Sequence, residues 1–276
     1  MHPEHRIDPL SGREVVIAPA RARRPGAARA GWDPPTPEEL AGCPFCAGRE
    51  DRTPPETLRL PATDGWRVRV VPNKYPAFAR QEVVVHSPEH VRSLAELDEP
   101  ALELVAEAWQ RRRRAVPDGY LFACVNEGRE AGASLPHSHS QLVWLPRTPR
   151  TATAERHPDA VLTGERVLEL HGTVAVSPAA ARAPYELRIA PERQEPDAFA
   201  SSLLGPALRL LAEVVRRLRR LEGPLPLNAW LHTGRWWHLE LVPRLIVPAS
   251  LELGAEVYLN PLPPEEAAQR LRAATP

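Results

Sequence analysis

The stretch NEGREAGASLPHSHSQLVWLP, residues 126–146, sets His137, His139 and Gln141 at alternate positions ahead of an apolar run. In an extended strand such positions share one face, with about 6.6 Å between neighbours. Ser138, Ser140 and Leu142 then turn to the other face. Neutral imidazole offers one ring nitrogen as a donor and the other as a lone pair. If a carbonyl holds the donor side, the free nitrogen can attack phosphorus and carry a group covalently. The small residues before the row, EGREAGAS, predict backbone packed closely against a ligand. Taken alone, the motif is equally compatible with a structural polar strand. A second constellation is Cys43-Pro-Phe-Cys46, half of a tetrahedral metal site. Its alternatives are a redox pair and simple burial, and no thioredoxin-like context surrounds it. Cys124, inside LFACVNEG, reads as core.

Composition bounds what these residues can serve. The chain has 276 residues, with 35 basic against 35 acidic, so it carries no footprint of a nucleic-acid or acidic-membrane partner. No apolar run approaches the ~20 residues needed to span a bilayer, and MHPEHRIDPL lacks a signal-peptide pattern, so a cytoplasmic protein is expected. Lys74 is the only lysine, a matter of coding bias. The 33 prolines predict many turns.

The elements that must hold the row follow from periodicity and punctuation. GREVVIAPARARRPG reads as a strand entering a basic turn, and the Pro- and Gly-rich segment around the cysteines as an excursion. GWRVRVVPNKYPA and QEVVVHSPEH read as strands. SLAELDEPALELVAEAWQRRRRAV has helical spacing with Pro100 near its first turn. GYLFACVNEG and HSHSQLVWLP complete the half as strands. The order then returns: APYELRIAPERQEP echoes QEVVVHSPEH, LLGPALRLLAEVVRRLRRLEG echoes the helix, PLNAWLHTG echoes LFACVNEG, and WWHLELVP echoes SHSQLVWLP. This predicts an α+β fold of two tandem units, mainly antiparallel sheet with packed helices, divided as 1–150 and 151–276. Chance similarity of order between α+β halves is the alternative.

The motif HSHSQLV resembles the histidine-triad superfamily in the form of its galactose-1-phosphate uridylyltransferase branch. RIDPLSGREVVIAPARARRP, CPFC, VPNKYPA, SPEHVRSLAEL and NEGREAGASLPHSHSQ occur in that family's order, a collinearity more specific than any one motif. The resemblance implies two histidine-triad-like units. It makes His139 the nucleophile that carries a nucleotidyl group and Gln141 the residue that binds the phosphoryl oxygen. Hydrolase branches have a third histidine at the Gln141 position. An amide cannot act as a general acid, so the departing group must already be a good leaving group, such as a phosphate. Gln141 can still donate to the attacked oxygen. By the same resemblance Asn126 and Ser134 contact phosphates, Arg21 and Arg24 lie near the diphosphate, and Asn73 lies near the nucleoside. Guanidinium suits the diphosphate role by its planarity and permanent charge; the alternative for both arginines is a solvated basic turn.

The resemblance also completes a metal site. Cys43, Cys46, His90 and His137 match the four ligands of a structural zinc, closed in coordination and therefore not hydrolytic. Some members hold a second metal, zinc or iron, for which Glu155, His232, His238 and Glu240 are the candidates, the carboxylate of Glu240 replacing an imidazole. Trp236 and Trp237 read as packing, and His157 and His171 as surface.

The implied reaction is ping-pong. A nucleotide sugar gives its nucleoside monophosphate, UMP in the galactose pathway enzymes, to His139, and a second hexose 1-phosphate takes it. The C-terminal segment SLELGAEVYLNPLPPEEAAQRLR departs from the galactose enzymes. Leu259 stands where a polar residue is expected, and Glu252 is a weak sugar contact. The tail is similar to relatives of the ADP-glucose phosphorylase type, in which inorganic phosphate is the acceptor. Two readings from other classes are a nucleotide hydrolase, which the absent third histidine disfavours, and a zinc-dependent binding module without turnover. The family commonly forms homodimers.

Overall fold

The computed structural model describes residues 3–23, 34–62 and 65–275. Its strands are β1 (Glu4–Ile7), β2 (Glu14–Ile17), β3 (Leu58–Leu60), β4 (Val68–Pro72), β5 (Gln81–Val85), β6 (Tyr120–Glu127), β7 (His139–Leu145), β8 (Gly164–Leu170), β9 (Thr173–Pro178), β10 (Leu187–Pro191), β11 (Leu227–His232), β12 (His238–Pro243) and β13 (Val257–Asn260). Ten of them make one antiparallel sheet in the order β3-β4-β5-β7-β6-β11-β12-β10-β9-β8. Taken inward from its two edges the order is the same: β3, β4, β5, β7, β6 on one side and β8, β9, β10, β12, β11 on the other. The tandem α+β architecture expected from the echoing segments is therefore present as a single sheet. Its seam lies where β6 meets β11, with Asn126 opposite Asn228 and Val125 opposite Ala229.

Two long helices cover one face. The first, Glu99–Ala115, starts where Asp98 accepts the N–H of Ala101 at 2.8 Å, with Pro100 in the first turn. The sequence suggested a helix from Ser93. That residue instead heads a separate short turn, Leu94–Glu96, which Ser93 caps through the N–H of Ala95. The second helix, Leu204–Glu222, stops at Gly223, whose φ of 77° suits a residue without Cβ. Both helices turn an apolar stripe to the sheet. Trp109, Leu102, Leu208, Leu211 and Leu218 join Leu121, Leu142, Leu227, Leu239 and Ile189 in the main core. Each such side chain contributes roughly 1.5–3 kcal/mol by leaving water.

The other sheet face carries the chemistry. Its own small core, Cys43, Phe45, Trp66, Val71, Val83 and Val85, lies over β4 and β5 beneath the Cys-x-x-Cys excursion. β1, β2 and β13 form a separate three-stranded sheet in which β13 runs parallel to β2. The N-terminal segment is thereby tied to the C-terminal one, a pairing that no local pattern foretells. A cut at residue 150 falls between β7 and β8.

Candidate active site and metal centre

β7 begins at His139, two residues later than the run HSHSQLVWLP suggests. Just before it, the N–H of Ser138 bonds the carbonyl of Val91 at 2.7 Å, and His137 leaves the sheet for the cysteines. Within the strand, Ser140, Leu142 and Trp144 face the helices, and His139 and Gln141 face the opposite side. Behind the strand, His86 bonds Ser138 Oγ through Nδ1 at 2.9 Å and Ser140 Oγ through Nε2 at 3.0 Å, and Trp109 Nε1 also donates to Ser140 Oγ at 2.9 Å. Burial, with the neighbouring His139 and His137, holds the His86 pKa well below that of free imidazole, so this clamp is neutral.

On the front face, His139 Nδ1 lies 2.7 Å from the carbonyl of His137. A carbonyl only accepts, so Nδ1 carries the proton and Nε2 keeps its lone pair. Burial lowers the pKa of His139, which favours that neutral form. Among the described residues Nε2 has no hydrogen-bond partner. The ring edge rests on Phe45, with centroids 5.5 Å apart. Gln141 Oε1 accepts from Gln81 Nε2 at 2.7 Å. On β6, Asn126 is one step beyond the Val125–Ser140 pair, beside His139, and its Oδ1 accepts from Asn228 Nδ2 at 2.7 Å. The arrangement is an imidazole lone pair flanked by two amides, and among the described residues no carboxylate bonds any of the three.

The metal expectation meets a gathered donor set. One donor atom from each of Cys43, Cys46, His90 and His137 lies within 4.8 Å of every other. Cys43 Sγ and Cys46 Sγ lie 3.4 Å and 3.8 Å from His137 Nδ1, and Cys46 Sγ lies 3.4 Å from His90 Nδ1. Tetrahedral zinc with ordinary Zn–S and Zn–N bonds has S···N edges of about 3.5 Å, so the residues fit such an ion. Both histidines are also held from behind, as metal-binding imidazoles usually are. His137 Nε2 bonds the carbonyl of Ser87 at 3.0 Å, and His90 Nε2 bonds Glu39 at 2.8 Å. Arg92 in turn grips Glu39 and holds its carboxyl below the usual range. Burial, then the nearby Cys43, pushes the Cys46 thiol up to about 11. A dication held there would reverse that preference by binding thiolate.

A second gathering comprises Glu155, His232 and His238, again within 4.8 Å of one another. Among the described residues His238 Nε2 is buried without a hydrogen-bond partner, and the two rings stack at 4.7 Å. Burial and Glu240 raise the Glu155 carboxyl to about 7, whereas burial and His232 lower His238 to about 3. These three donors suit a cation. Glu240, expected as the fourth, lies outside the gathered set: its carboxylate bonds Arg182 and is 3.9 Å from His232 Nε2. Burial opposes the ionised Glu240, but the Arg182 charge outweighs it and the carboxyl lies well below its usual range.

The remaining expected residues are less closely gathered. Asn73, half-buried after β4, spends its Oδ1 on the N–H of Tyr75 at 2.9 Å. Ser134 is exposed in the turn before His137, and Arg21 is exposed in the short turn Pro19–Arg23; neither side chain has a hydrogen bond among the described residues. Arg24 lies outside the described residues. The small residues of EGREAGAS make a tight turn at Arg129–Ala131, where Gly128, at φ 83°, packs its Cα face on Pro226. Glu252 accepts the N–H of Ala249 at 2.8 Å and caps its own helix, and Leu259 pairs with Val16. Cys124 is half-buried on β6, with its thiol pushed up to about 12 by burial. Trp237 is fully buried, while His157 and His171 are exposed, as read from the sequence. Sequence reasoning missed Glu39, Gln81, His86 and Asn228. Each acts by touching a residue distant in the chain, and only the period-two spacing of Gln81 with Val83 hinted at a shared face.

An antiparallel duplicated sheet, with a carbonyl-locked histidine before an amide on a central strand, matches the histidine-triad class that the sequence resembles. Comparison with known proteins agrees. The sequence model for the galactose-1-phosphate uridyl transferase N-terminal domain matches residues 70–149. An ADP-glucose phosphorylase from Arabidopsis thaliana is 30% identical over 98% of this chain and 92% of its own. A galactose-1-phosphate uridylyltransferase from Streptomyces lividans is 31% identical over 98% of this chain and 86% of its own. The crystal structure of the Arabidopsis thaliana ADP-glucose phosphorylase with bound ADP-glucose superposes with a TM-score of 0.87 at 28% identity, over 99% of this chain and 98% of that one. The chain belongs to the galactose-1-phosphate uridylyltransferase family and is an enzyme of the nucleotidyl-transfer kind. Among the described residues no helix is long and apolar enough to cross a membrane.

Proposed function

We propose that this enzyme moves a nucleoside monophosphate from a nucleotide sugar to a phosphate-bearing acceptor through His139. The observation that carries the reading is the 2.7 Å bond from His139 Nδ1 to the His137 carbonyl, which fixes the tautomer and leaves Nε2 as a nucleophile. Nε2 attacks the α-phosphorus, an N–P bond forms, and the bond to the sugar 1-phosphate oxygen breaks. The leaving sugar 1-phosphate departs as an anion and needs no proton, which matches an amide at position 141 rather than an acid. In the second half, an acceptor phosphate oxygen attacks phosphorus, and the N–P electrons return to Nε2. Gln141 and Asn126 donate to the phosphoryl oxygens as charge builds on them. Ser134, Arg21, Arg24 and Asn73 belong to the same proposal as contacts to phosphates and nucleoside. Cys43, Cys46, His90 and His137 would hold a zinc ion, which would supply structure, since four protein ligands leave no open position. His137, as one of those ligands, would then fix the start of β7 and with it the carbonyl that orients His139. The division of the chain at residue 150 is part of the same reading.

For the acceptor, the sequence suggests hexose 1-phosphate with UMP as the group moved. The extensive superposition on the ADP-glucose-bound phosphorylase, together with apolar Leu259 on β13, favours a second reading in which inorganic phosphate accepts and the nucleotide is ADP-glucose. Incubating the protein with UDP-glucose or ADP-glucose, labelled in the α-phosphate, tests both. An acid-labile label on the wild type that is absent from His139→Ala supports the mechanism. Release of that label to hexose 1-phosphate or to phosphate names the acceptor. No labelling and no exchange with any common nucleotide sugar defeats the proposal.

A further inference from the structure

Two amides flank His139, and an amide has an ambiguous end. A phosphoryl oxygen can be met only by the NH2 of Gln141 or Asn126, since their carbonyl oxygens would repel it. What decides which end faces the site lies one residue further out, in both cases.

Gln81, on β5, is the diagonal neighbour of Gln141 across the sheet, because Gln81 pairs with Val143 and Val83 with Gln141. Its Oε1 accepts the backbone N–H of Ala77 at 3.0 Å. A backbone N–H only donates, so the Gln81 amide has one permitted orientation, with Nε2 toward Gln141. That Nε2 donates to Gln141 Oε1 at 2.7 Å. Gln141 is then left with its own Nε2 turned to the site. On β11, Asn228 follows the same logic, with a backbone carbonyl rather than a backbone N–H as its anchor. Its Nδ2 donates to the carbonyl of Ala131 at 2.8 Å, and a carbonyl only accepts. The second N–H of that Nδ2 donates to Asn126 Oδ1 at 2.7 Å, which leaves Asn126 Nδ2 toward His139. One anchor is the hairpin between β4 and β5; the other is the tight turn after β6, reached from the second half of the molecule.

We infer that Gln81 and Asn228 are positioning residues that turn the donor ends of Gln141 and Asn126 toward the phosphoryl group at His139. The inference rests on the nucleotidyl-transfer reading for its purpose, and on hydrogen-bond polarity for its geometry. Preset donors need no reorientation when charge develops on the phosphoryl oxygens, so the benefit falls on the chemical step.

The test has two arms that fail separately. Neutron diffraction from the perdeuterated full chain shows the amide deuterons directly. ND2 of Gln81 pointing to Gln141 and ND2 of Asn228 pointing to Asn126 supports the inference. The reverse orientation at Gln81 overturns it, whatever reaction the protein performs. In the kinetic arm, Gln81→Glu keeps the shape and the bond to Ala77 but presents only acceptors to Gln141, which must then flip. We expect kcat to fall by about a hundredfold to a thousandfold, the effect of losing one donor to a developing oxyanion, with KM for the nucleotide sugar changed less than about threefold. Gln81→His still offers one donor and one acceptor and restores kcat to within about tenfold of wild type. Equal, mild losses in both variants, or a loss confined to KM, overturn the inference. A wild type that transfers no nucleotidyl group refutes the proposed function, while the neutron map still decides the amide orientation.

Discussion

His139 and His238 occupy corresponding places in the two halves of the sheet, and the chain uses them differently. Each lies on a strand between two others of its half, β5-β7-β6 or β10-β12-β11. Each points Nδ1 at the carbonyl two residues back, His137 at 2.7 Å and Trp236 at 3.1 Å. Two positions on, Gln141 pairs across the sheet with Cys124, and Glu240 pairs with Trp230. The surroundings then diverge. His139 has neutral amides beside it. His238 stacks on His232 within a buried lattice of Asp8, Arg188, Glu240, Arg182 and Glu186. Beside the first imidazole stand amides, and beside the second a buried carboxylate already paired with Arg182. A carbonyl-locked imidazole is thus a backbone device, and its neighbours decide whether amides or charged groups surround it.

Exchanging the two histidines' fates is the strongest way to break that comparison. Replacing His139 with Ala should lower nucleotidyl transfer by a factor on the order of 10⁵ to 10⁶, as loss of a covalent nucleophile does. His238→Ala should leave the labelled intermediate forming within about tenfold of wild type, because His238 touches no phosphoryl donor. Equal loss in rapid-quench labelling by both variants would end the distinction.

The lattice of the second half should be costly to interrupt. Arg182 bonds both Glu186 and Glu240, which are 0% and 5% exposed in their side chains. Arg182→Met takes the nearest cation from two buried carboxylates, and urea unfolding should show a loss of about 3–5 kcal/mol. A loss below about 1 kcal/mol would mean that water reaches those carboxylates freely.

A pH effect sharpens the contrast from the other side. Glu127, at the end of β6, accepts from Ser93 Oγ at 2.7 Å and from the N–H of Leu94 at 2.6 Å, while Thr233 stands at the matching place after β11. Burial raises the Glu127 carboxyl from 4.5 to about 7, so the folded chain holds its proton more tightly than the unfolded chain does. The stabilisation this gives is present below about pH 4.5 and is lost as pH rises through 7, a swing of roughly 3 kcal/mol. Glu127→Gln should therefore be more stable than wild type at pH 8, with the gap closing toward pH 5. Thermal melts across that range decide it; a gap independent of pH would place the ionised carboxylate in water.

The smallest effect is expected at the seam. Asn228→Ala removes the bonds to Asn126 and to the Ala131 carbonyl that join the halves, and should cost about 1–2 kcal/mol in chemical denaturation. A much larger value would show that the halves depend on these contacts to pair.

Much of this was legible in the residues themselves. The His-x-His-x-Gln row, the Cys-x-x-Cys pair and the returning order of strands and helix all rest on short-range spacing, and the sheet repeats as that order required. The start of β7 was misplaced because His137 bonds the cysteines, a contact 94 residues long that no strand pattern registers. Glu240 is the fourth place that the family resemblance assigns to a second metal, and the gathered set holds only Glu155, His232 and His238. The commitment of Glu240 to Arg182 depends on a turn between β9 and β10 whose position local spacing does not reveal.

By itself, then, the sequence determined which groups were available: an imidazole in front of an amide, two thiols at chelating distance, a second half echoing the first. Periodicity is a property of neighbours along the chain, so it survives without the fold. The tertiary structure alone decided the state of those groups, namely which ring nitrogen keeps its lone pair, which end of an amide faces the site, and which carboxylate is ionised. Those states are set by hydrogen-bond polarity and burial among residues far apart in the chain, and they exist only once the sheet has brought the partners within bonding distance.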